Sequence, residues 1–249
     1  MTDELLFCVM ELGERFLTTG AEVRRVEESI TIVCKAYGVA RVDVYATTSH
    51  LIVSVINTDG VILNQTRRVQ VNGSDITKLD ALNALSRYVA ENRPEPAEWK
   101  RRLSEIDKIK GYSIRALLIC YALVAGAFTV FFGSRSVIEV LFSVLIGGVI
   151  GIITVTFERL GLQKPFSKLI CSFVACSLAF ATTLSPQIAS ADLIIIGNIM
   201  SLIPGVGLTN ALRDLFTGDV ISGILRSIEA LLLGAVIAFG YVTAAFLFG

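Results

Sequence analysis

Histidine is almost absent from this chain: His50 is the only one. A histidine-based metal cluster is therefore excluded. The five cysteines, Cys8, Cys34, Cys120, Cys171 and Cys176, contain no CxxC pair, and three of them sit inside apolar runs. They read as small buried hydrophobes in a reducing or lipid setting, not as a zinc site or a disulfide framework. No motif calls for an organic cofactor either. An excess of one charge is also missing, since 22 basic residues stand against 22 acidic ones. With no basic stripe and no interleaved aromatics, a nucleic-acid partner is not expected. The opening Met1-Thr2-Asp3-Glu4 lacks a positive n-region, so no cleavable signal peptide is predicted. No G-x-S-x-G elbow and no internal repeat is present.

Charge is unevenly spread. Of the 44 charged residues, 31 lie in residues 1–113 and 13 in the 136 that follow. Hydrophobic residues make up 53% of the chain, with a mean hydropathy of +0.68. That exceeds what a water-soluble core needs. A bilayer span requires about 20 mostly apolar residues. Five stretches qualify: 114–133, 137–157, 166–184, 193–209 and 221–248, the fourth carrying the Pro204-Gly205 break. Lys100, Arg101, Arg102, Lys108, Lys110 and Arg115 precede the first stretch. Arg159, Lys164 and Lys168 follow the second, and Arg213 and Arg226 follow the fourth. The other side offers Arg135 alone among Lys and Arg. By the positive-inside rule the N-terminus is cytoplasmic and the C-terminus outside. Small residues four apart (Gly147/Gly151, Ala122/Gly126, Gly234/Ala238) predict close helix packing in a bundle.

The polar part reads as an α+β domain. Leu5, Val9, Leu12, Phe16 and Leu17 keep helical spacing over 4–19, and Val23, Val26, Ile30 and Val33 continue it over 21–37. The period then falls to two, with Val42, Val44 and Ala46 followed by Leu51, Val53 and Val55, and Asn57-Thr58-Asp59-Gly60 marks a hairpin. A third strand near 61–64 and a fourth near 67–71 are expected, then helices at 75–91 and 96–110. The last, with Trp99, Leu103, Ile106 and Ile109 against Lys100, Arg101, Lys108 and Lys110, is basic and amphipathic. It suits either the inner membrane surface or packing on its own domain. The expected fold is an α-helical integral membrane protein of about five spans, 114–249, behind a cytoplasmic α+β domain, 1–113.

Chemistry concentrates in Pro204-Gly205-Val206-Gly207-Leu208-Thr209-Asn210-Ala211-Leu212-Arg213-Asp214. Proline and two glycines break the helix and free backbone groups, which membranes tolerate where protein or a water-filled cavity surrounds them. A helix restarting near Asn210 would offer N–H groups and a positive dipole end to an anion, with Arg213 adding a fork for a carboxylate. Pro204, Gly205, Gly207, Thr209, Asn210 and Arg213 are thus candidate substrate-binding residues. The alternative is a plain turn with Arg213 and Asp214 solvated. Asp214, Asp219, Arg226 and Glu229 are candidates for coupling or an ion pair, Arg226 with Glu229 being the expected pair. Asn198, Thr209 and Asn210 equally suit helix–helix hydrogen bonds. In the polar domain, Glu22, Arg25, Glu27 and Glu28 form a charged motif, with Glu22/Arg25 and Arg24/Glu28 at spacings a solvated helix face also uses. Thr47-Thr48-Ser49-His50 holds a possible nucleophile and base, without an elbow motif.

At Gly20-Ala-Glu-Val-Arg-Arg-Val-Glu-Glu28, and at 204–214 with Gly218-Asp219, Ser222-Gly223, Arg226 and Glu229-Ala230, the chain resembles the threonine/serine exporter family (ThrE/YjjP-like), including the larger subunit of succinate-type two-component exporters. The resemblance implies a secondary exporter of small carboxylates in a bacterial inner membrane, not an enzyme. It also implies a hydrolase-like activity suggested for the cytoplasmic domain. Fused members carry about ten spans, and this chain has five. A second, smaller membrane subunit, or self-association, is therefore implied. The rival readings are a membrane-anchored enzyme and a regulatory membrane protein.

Overall fold

The computed structural model describes the chain except residues 71, 72, 74 and 189. It divides into two units, residues 1–110 with 209–226, and residues 111–208 with 227–249.

In the first unit, α1 (Asp3–Thr18) starts where Thr2 accepts a hydrogen bond from the Leu5 amide, with Asp3 and Glu4 favourably placed at the positive end of the helix dipole. It stops at a turn in which Gly20 takes φ +87°, a conformation that side chains with a Cβ resist. α2 (Val23–Ala36) follows and ends before Gly38. Strands β1 (Arg41–Ala46), β2 (His50–Ile56) and β3 (Ile62–Arg68) form an antiparallel sheet in that order. Val42 lies opposite Val55 and Val44 opposite Val53, so the alternating apolar residues share one face. Arg67 and Arg68, expected in a fourth strand, extend β3, because continuing the ladder with β2 satisfies their backbone. The rest of that expected strand includes residue 71, outside the described residues.

α3 (Ile76–Asn92) is capped by Asp75, which accepts from the Lys78 amide. α4 (Pro96–Asp107) begins with proline at its first position, where no amide is needed. Its Trp99, Leu103 and Ile106 are buried with Leu6, Phe16, Ile30, Leu51 and Leu82 in one core. The apolar stripe of α4 is therefore consumed within its own unit, and the membrane-surface reading falls away. Burial of each large side chain here contributes about 1.5–3 kcal/mol.

The second unit contains α5 (Ile114–Phe131), α6 (Val137–Arg159), α7 (Lys164–Thr182) and α8 (Asp192–Met200). α9 (Gly205–Thr217) and α10 (Val220–Phe248) each begin in one unit and end in the other. α5, α6, α7 and α10 are long and apolar enough to cross a membrane, and α8 with α9 qualifies only as a pair bent by 58°. The expected continuous fourth span is thus broken: nine residues of α8 reach about 14 Å, half a bilayer. Close packing of α5 on α6 depends on Gly147, where a Cβ would lie 2.6 Å from the Ala125 Cβ and 2.8 Å from the Tyr121 carbonyl oxygen. Thr129 donates to Ser143, and Asn198 Nδ2 donates to Ser143 Oγ at 3.0 Å and to the Ile194 carbonyl at 2.9 Å. Asn198 thus does serve as interhelical glue among α5, α6 and α8.

Candidate carboxylate site

The two segments rich in charge and glycine come together within the first unit. Glu22 occupies the position before α2, with extended dihedrals (φ −66°, ψ 135°), yet its side chain caps no amide of that helix. It turns instead to Arg213 on α9, whose Nε lies 3.1 Å from Glu22 Oε1. The neighbouring Ala21 carbonyl accepts from Arg226 Nη2 at 2.9 Å. Two arginines from 209–226 therefore hold the α1–α2 turn.

Arg226 makes a second contact, its Nε lying 3.4 Å from Asp214 Oδ2. Asp214 is fully buried, and among the described residues neither carboxylate oxygen has a hydrogen-bond partner. Spacing predicts Glu229 as the partner; the structure gives Arg226 to Asp214 instead. The physical reason is desolvation. A carboxylate enclosed by protein needs the cation more than Glu229 does, since Glu229 is not enclosed. The return from α9 to α10 is tight, with the Asp219 amide donating to the Asp214 carbonyl at 2.9 Å. At Gly223 a Cβ would stand 2.9 Å from the Leu215 amide nitrogen, so a side chain would force the two helices apart.

Glu27, facing the sheet, accepts from the Ala46 amide at 2.8 Å. Burial raises its pKa above the ordinary value, the Ala46 bond opposes this, and the negative charges of Asp219 and Glu28 push it up further. The predicted Arg24–Glu28 pair forms at 2.9 Å, on the exposed face. Glu22 pairs with Arg213 rather than Arg25. Arg25 is exposed, and among the described residues it has no ion pair.

Glu22, Arg24, Arg25, Glu28, Arg213 and Thr217 line an open cleft of about 360 Å³. Three guanidinium groups against two carboxylates leave it net positive, and it is large enough for a small carboxylate. The helix-restart expectation needs correction. α9 begins at Gly205, not near Asn210, because glycine and proline suit a first turn where amides are unpaired anyway. Arg213 therefore lies eight residues, about 12 Å, along the helix from its positive end. The helix terminus and Arg213 cannot grip the same carboxylate. Pro204, Gly205 and Gly207 fall in the second unit, while Thr209, Asn210 and Arg213 fall in the first. Asp219 is half-buried and joins Glu27 electrostatically, and Glu229 remains apart.

Ser49 Oγ and His50 Nδ1 are 2.9 Å apart, on the turn between β1 and β2. Thr47 Oγ1 there accepts from the Ser49 and His50 amides, which is how such a hydroxyl builds a turn. Among the described residues no carboxylate orients His50, and no group of three or more His, Cys, Asp or Glu side chains could hold a metal ion. Sequence spacing does not reveal the buried Asp214 or the Glu22–Arg213 contact. The available signal is that both charged segments lie beside turn glycines, Gly20 and Gly218.

A family model described as "Putative threonine/serine exporter" (ThrE) matches residues 8–248. Neither the curated proteins nor the solved structures contain a match.

Proposed function

The chain belongs to the threonine/serine exporter family, and from that premise we propose that it is a subunit of a secondary-active inner-membrane exporter of small carboxylate metabolites. The substrate class is threonine/serine or a succinate-type dicarboxylate, and the first unit lies in the cytoplasm. The observation that carries this reading is the interrupted helix. α8 and α9 pass as an apolar span only together, and the 58° bend between them falls at Ser201–Pro204. Broken helices of this kind are where transporters place substrate and coupling ions.

Arg213 is the carboxylate-binding residue, 65% exposed and, among the described residues, ion-paired with Glu22. Of the coupling candidates, Asp214 is the strongest, since it alone combines full burial with unbonded carboxylate oxygens. The orientation rests on the lysines and arginines before α5 and after α6. A second, smaller multi-spanning subunit is part of this proposal, since fused members of the family carry about ten spans and this chain has four apolar helices long enough to cross a membrane, or five with the bent pair.

The test is efflux of preloaded labelled threonine and succinate from cells lacking their own exporters. Cells would express the chain alone or with a five-span candidate partner. Efflux of one label names the substrate class. Arg213→Ala removes an exposed pair that contributes about 0.2–1 kcal/mol to stability, so the protein should still assemble. Efflux should nevertheless fall about ten- to a hundredfold, the value of a charge-assisted hydrogen bond to substrate. Normal efflux by this variant at equal membrane abundance would refute the assignment.

A further inference from the structure

Arg213 already holds a carboxylate, that of Glu22, and this has consequences for how a substrate enters. Glu22 is only 14% exposed, whereas its partner is 65% exposed, so the cleft side of the guanidinium stays open to solvent. Arg25 lines the same cleft and lacks an ion pair among the described residues. The Glu22 side chain does not serve α2 as a cap, although its position before the helix is where capping oxygens ordinarily act. Its placement satisfies Arg213 alone. Arg24 pairs with Glu28 one turn along the same helix, so that pair does not bridge α2 and α9 as Glu22–Arg213 does, and Arg24 is left out of the binding set.

We propose that the cleft between the start of α2 and α9 is a binding site for small carboxylate anions, with Arg25 and Arg213 as its ligands and Glu22 as a resident carboxylate that the incoming anion displaces from Arg213. The assignment rests on the exporter reading for its role in transport, but binding itself is independent of it. Arg25 supplies the cation without an ion pair among the described residues, and Arg213 supplies the one an internal group holds in reserve. A ligand must outcompete Glu22, so apparent affinity is scaled down to the fraction of time Arg213 is free of Glu22. A pair open to solvent on the arginine side, worth about 0.2–1 kcal/mol, corresponds to about a two- to sixfold reduction. Weak retention of this kind suits a site that must release its ligand onward. The segment carrying Arg213 leads back along α9 to the break at Pro204, so the anion is captured on the helix that the exporter reading assigns to transport.

The test uses the full chain purified in detergent and the arginine reagent phenylglyoxal, with labelling at each arginine read by mass spectrometry. Threonine and succinate are the probes, with sodium chloride at matched ionic strength as control. In the wild type, both probes should protect Arg25 and Arg213. In Glu22→Gln, unprotected labelling of Arg213 should rise about two- to sixfold, and half-protection should occur at a concentration lower by the same factor. Unchanged Arg213 labelling in Glu22→Gln would overturn the resident role. Protection by chloride equal to that by the probes, or no protection at all, would overturn the site. Efflux that persists without protection would overturn this inference and leave the exporter reading standing. Protection without efflux of either label would leave the binding site and remove its transport role.

Discussion

Replacing Arg226 by alanine should loosen residues 209–226 from the α1–α2 turn, by an amount the structure allows to be worked out. The substitution leaves Asp214 buried without its ion-pair partner. Breaking a buried ion pair from one side costs about 3–5 kcal/mol. A stranded carboxylate can also escape by taking up a proton. From a free value near 3.9, that escape at pH 7 costs about 4 kcal/mol. Proton uptake therefore sets an upper limit. The 13% exposure of Arg226 and the 3.4 Å separation, without a hydrogen bond, place the loss at the lower end, about 3 kcal/mol. The ratio of docked to undocked segment falls about 150-fold.

Hydrogen–deuterium exchange of the full chain measures this directly, since local opening is read segment by segment. Peptides within 209–226 should exchange about 150-fold faster in Arg226→Ala at pH 7, after correction for intrinsic rates, while β2 should be unchanged. Below about pH 6, where protonating the carboxyl costs less than leaving its charge unpaired, the excess should shrink about tenfold for each unit of pH lowered. Asp214→Asn in the Arg226→Ala background removes the stranded charge and should bring exchange back to within about tenfold of the wild type. Exchange within about threefold of the wild type in Arg226→Ala, or an excess independent of pH, would show that the pair does not hold the segment.

Glu27→Gln should flatten the pH dependence of the first unit. Glu27 has a raised folded pKa, so its contribution to stability is complete below its ordinary 4.5 and is lost as pH rises through the raised value. Glutamine keeps an acceptor for the Ala46 amide and carries no charge. Trp99, the single tryptophan, is buried in this unit and reports its unfolding in urea. Wild-type stability should decline from pH 5 towards 8 and the variant should decline less; parallel profiles would contradict this. Gly197→Ala should lower the thermal midpoint in detergent, because its Cβ would stand 2.0 Å from Thr129 Oγ1 and 2.9 Å from the Thr129 amide nitrogen. Overpacking of this kind costs about 1–3 kcal/mol. Gly148→Ala, with nothing within 4 Å of the added atom, is the control, and equal midpoints for the two variants would show that α5 and α8 are not in close contact.

Local periodicity makes most of the elements readable. The two-residue alternation from Val42 to Val55 is the buried face of β1 and β2, and the long apolar runs are α5, α6, α7 and α10. Pro204 is legible as a break for the same reason, since a missing amide acts on its own helix. What stays hidden is decided by distant partners. The restart of α9 at Gly205 defeats local propensity, because glycine is a poor helix interior residue but acceptable in a first turn. Arg226 and Glu229 are one turn apart and invite pairing by spacing. The winner, Asp214, is selected by burial, which sequence spacing does not record. Likewise Arg226 reaches the Ala21 carbonyl across 205 residues.

The two arginines that hold the α1–α2 turn do so with contacts of unequal strength, and this inequality has a functional consequence. Arg213 is 65% exposed although its partner Glu22 is only 14% exposed, and a pair open to solvent on the arginine side is worth about 1 kcal/mol and can be exchanged for another carboxylate. Arg226 is 13% exposed and serves a fully buried partner, so its release strands a charge. An anion entering the cleft can therefore take Arg213 from Glu22 while Arg226 keeps 209–226 in place. Glu22→Gln should accordingly leave the exchange of 209–226 within about threefold of the wild type, in contrast to Arg226→Ala. If Glu22→Gln loosened the segment as much as Arg226→Ala does, the exposed pair would be an anchor rather than an exchangeable contact. Displacement by substrate would then undock the segment, and binding at the cleft would have to move α9.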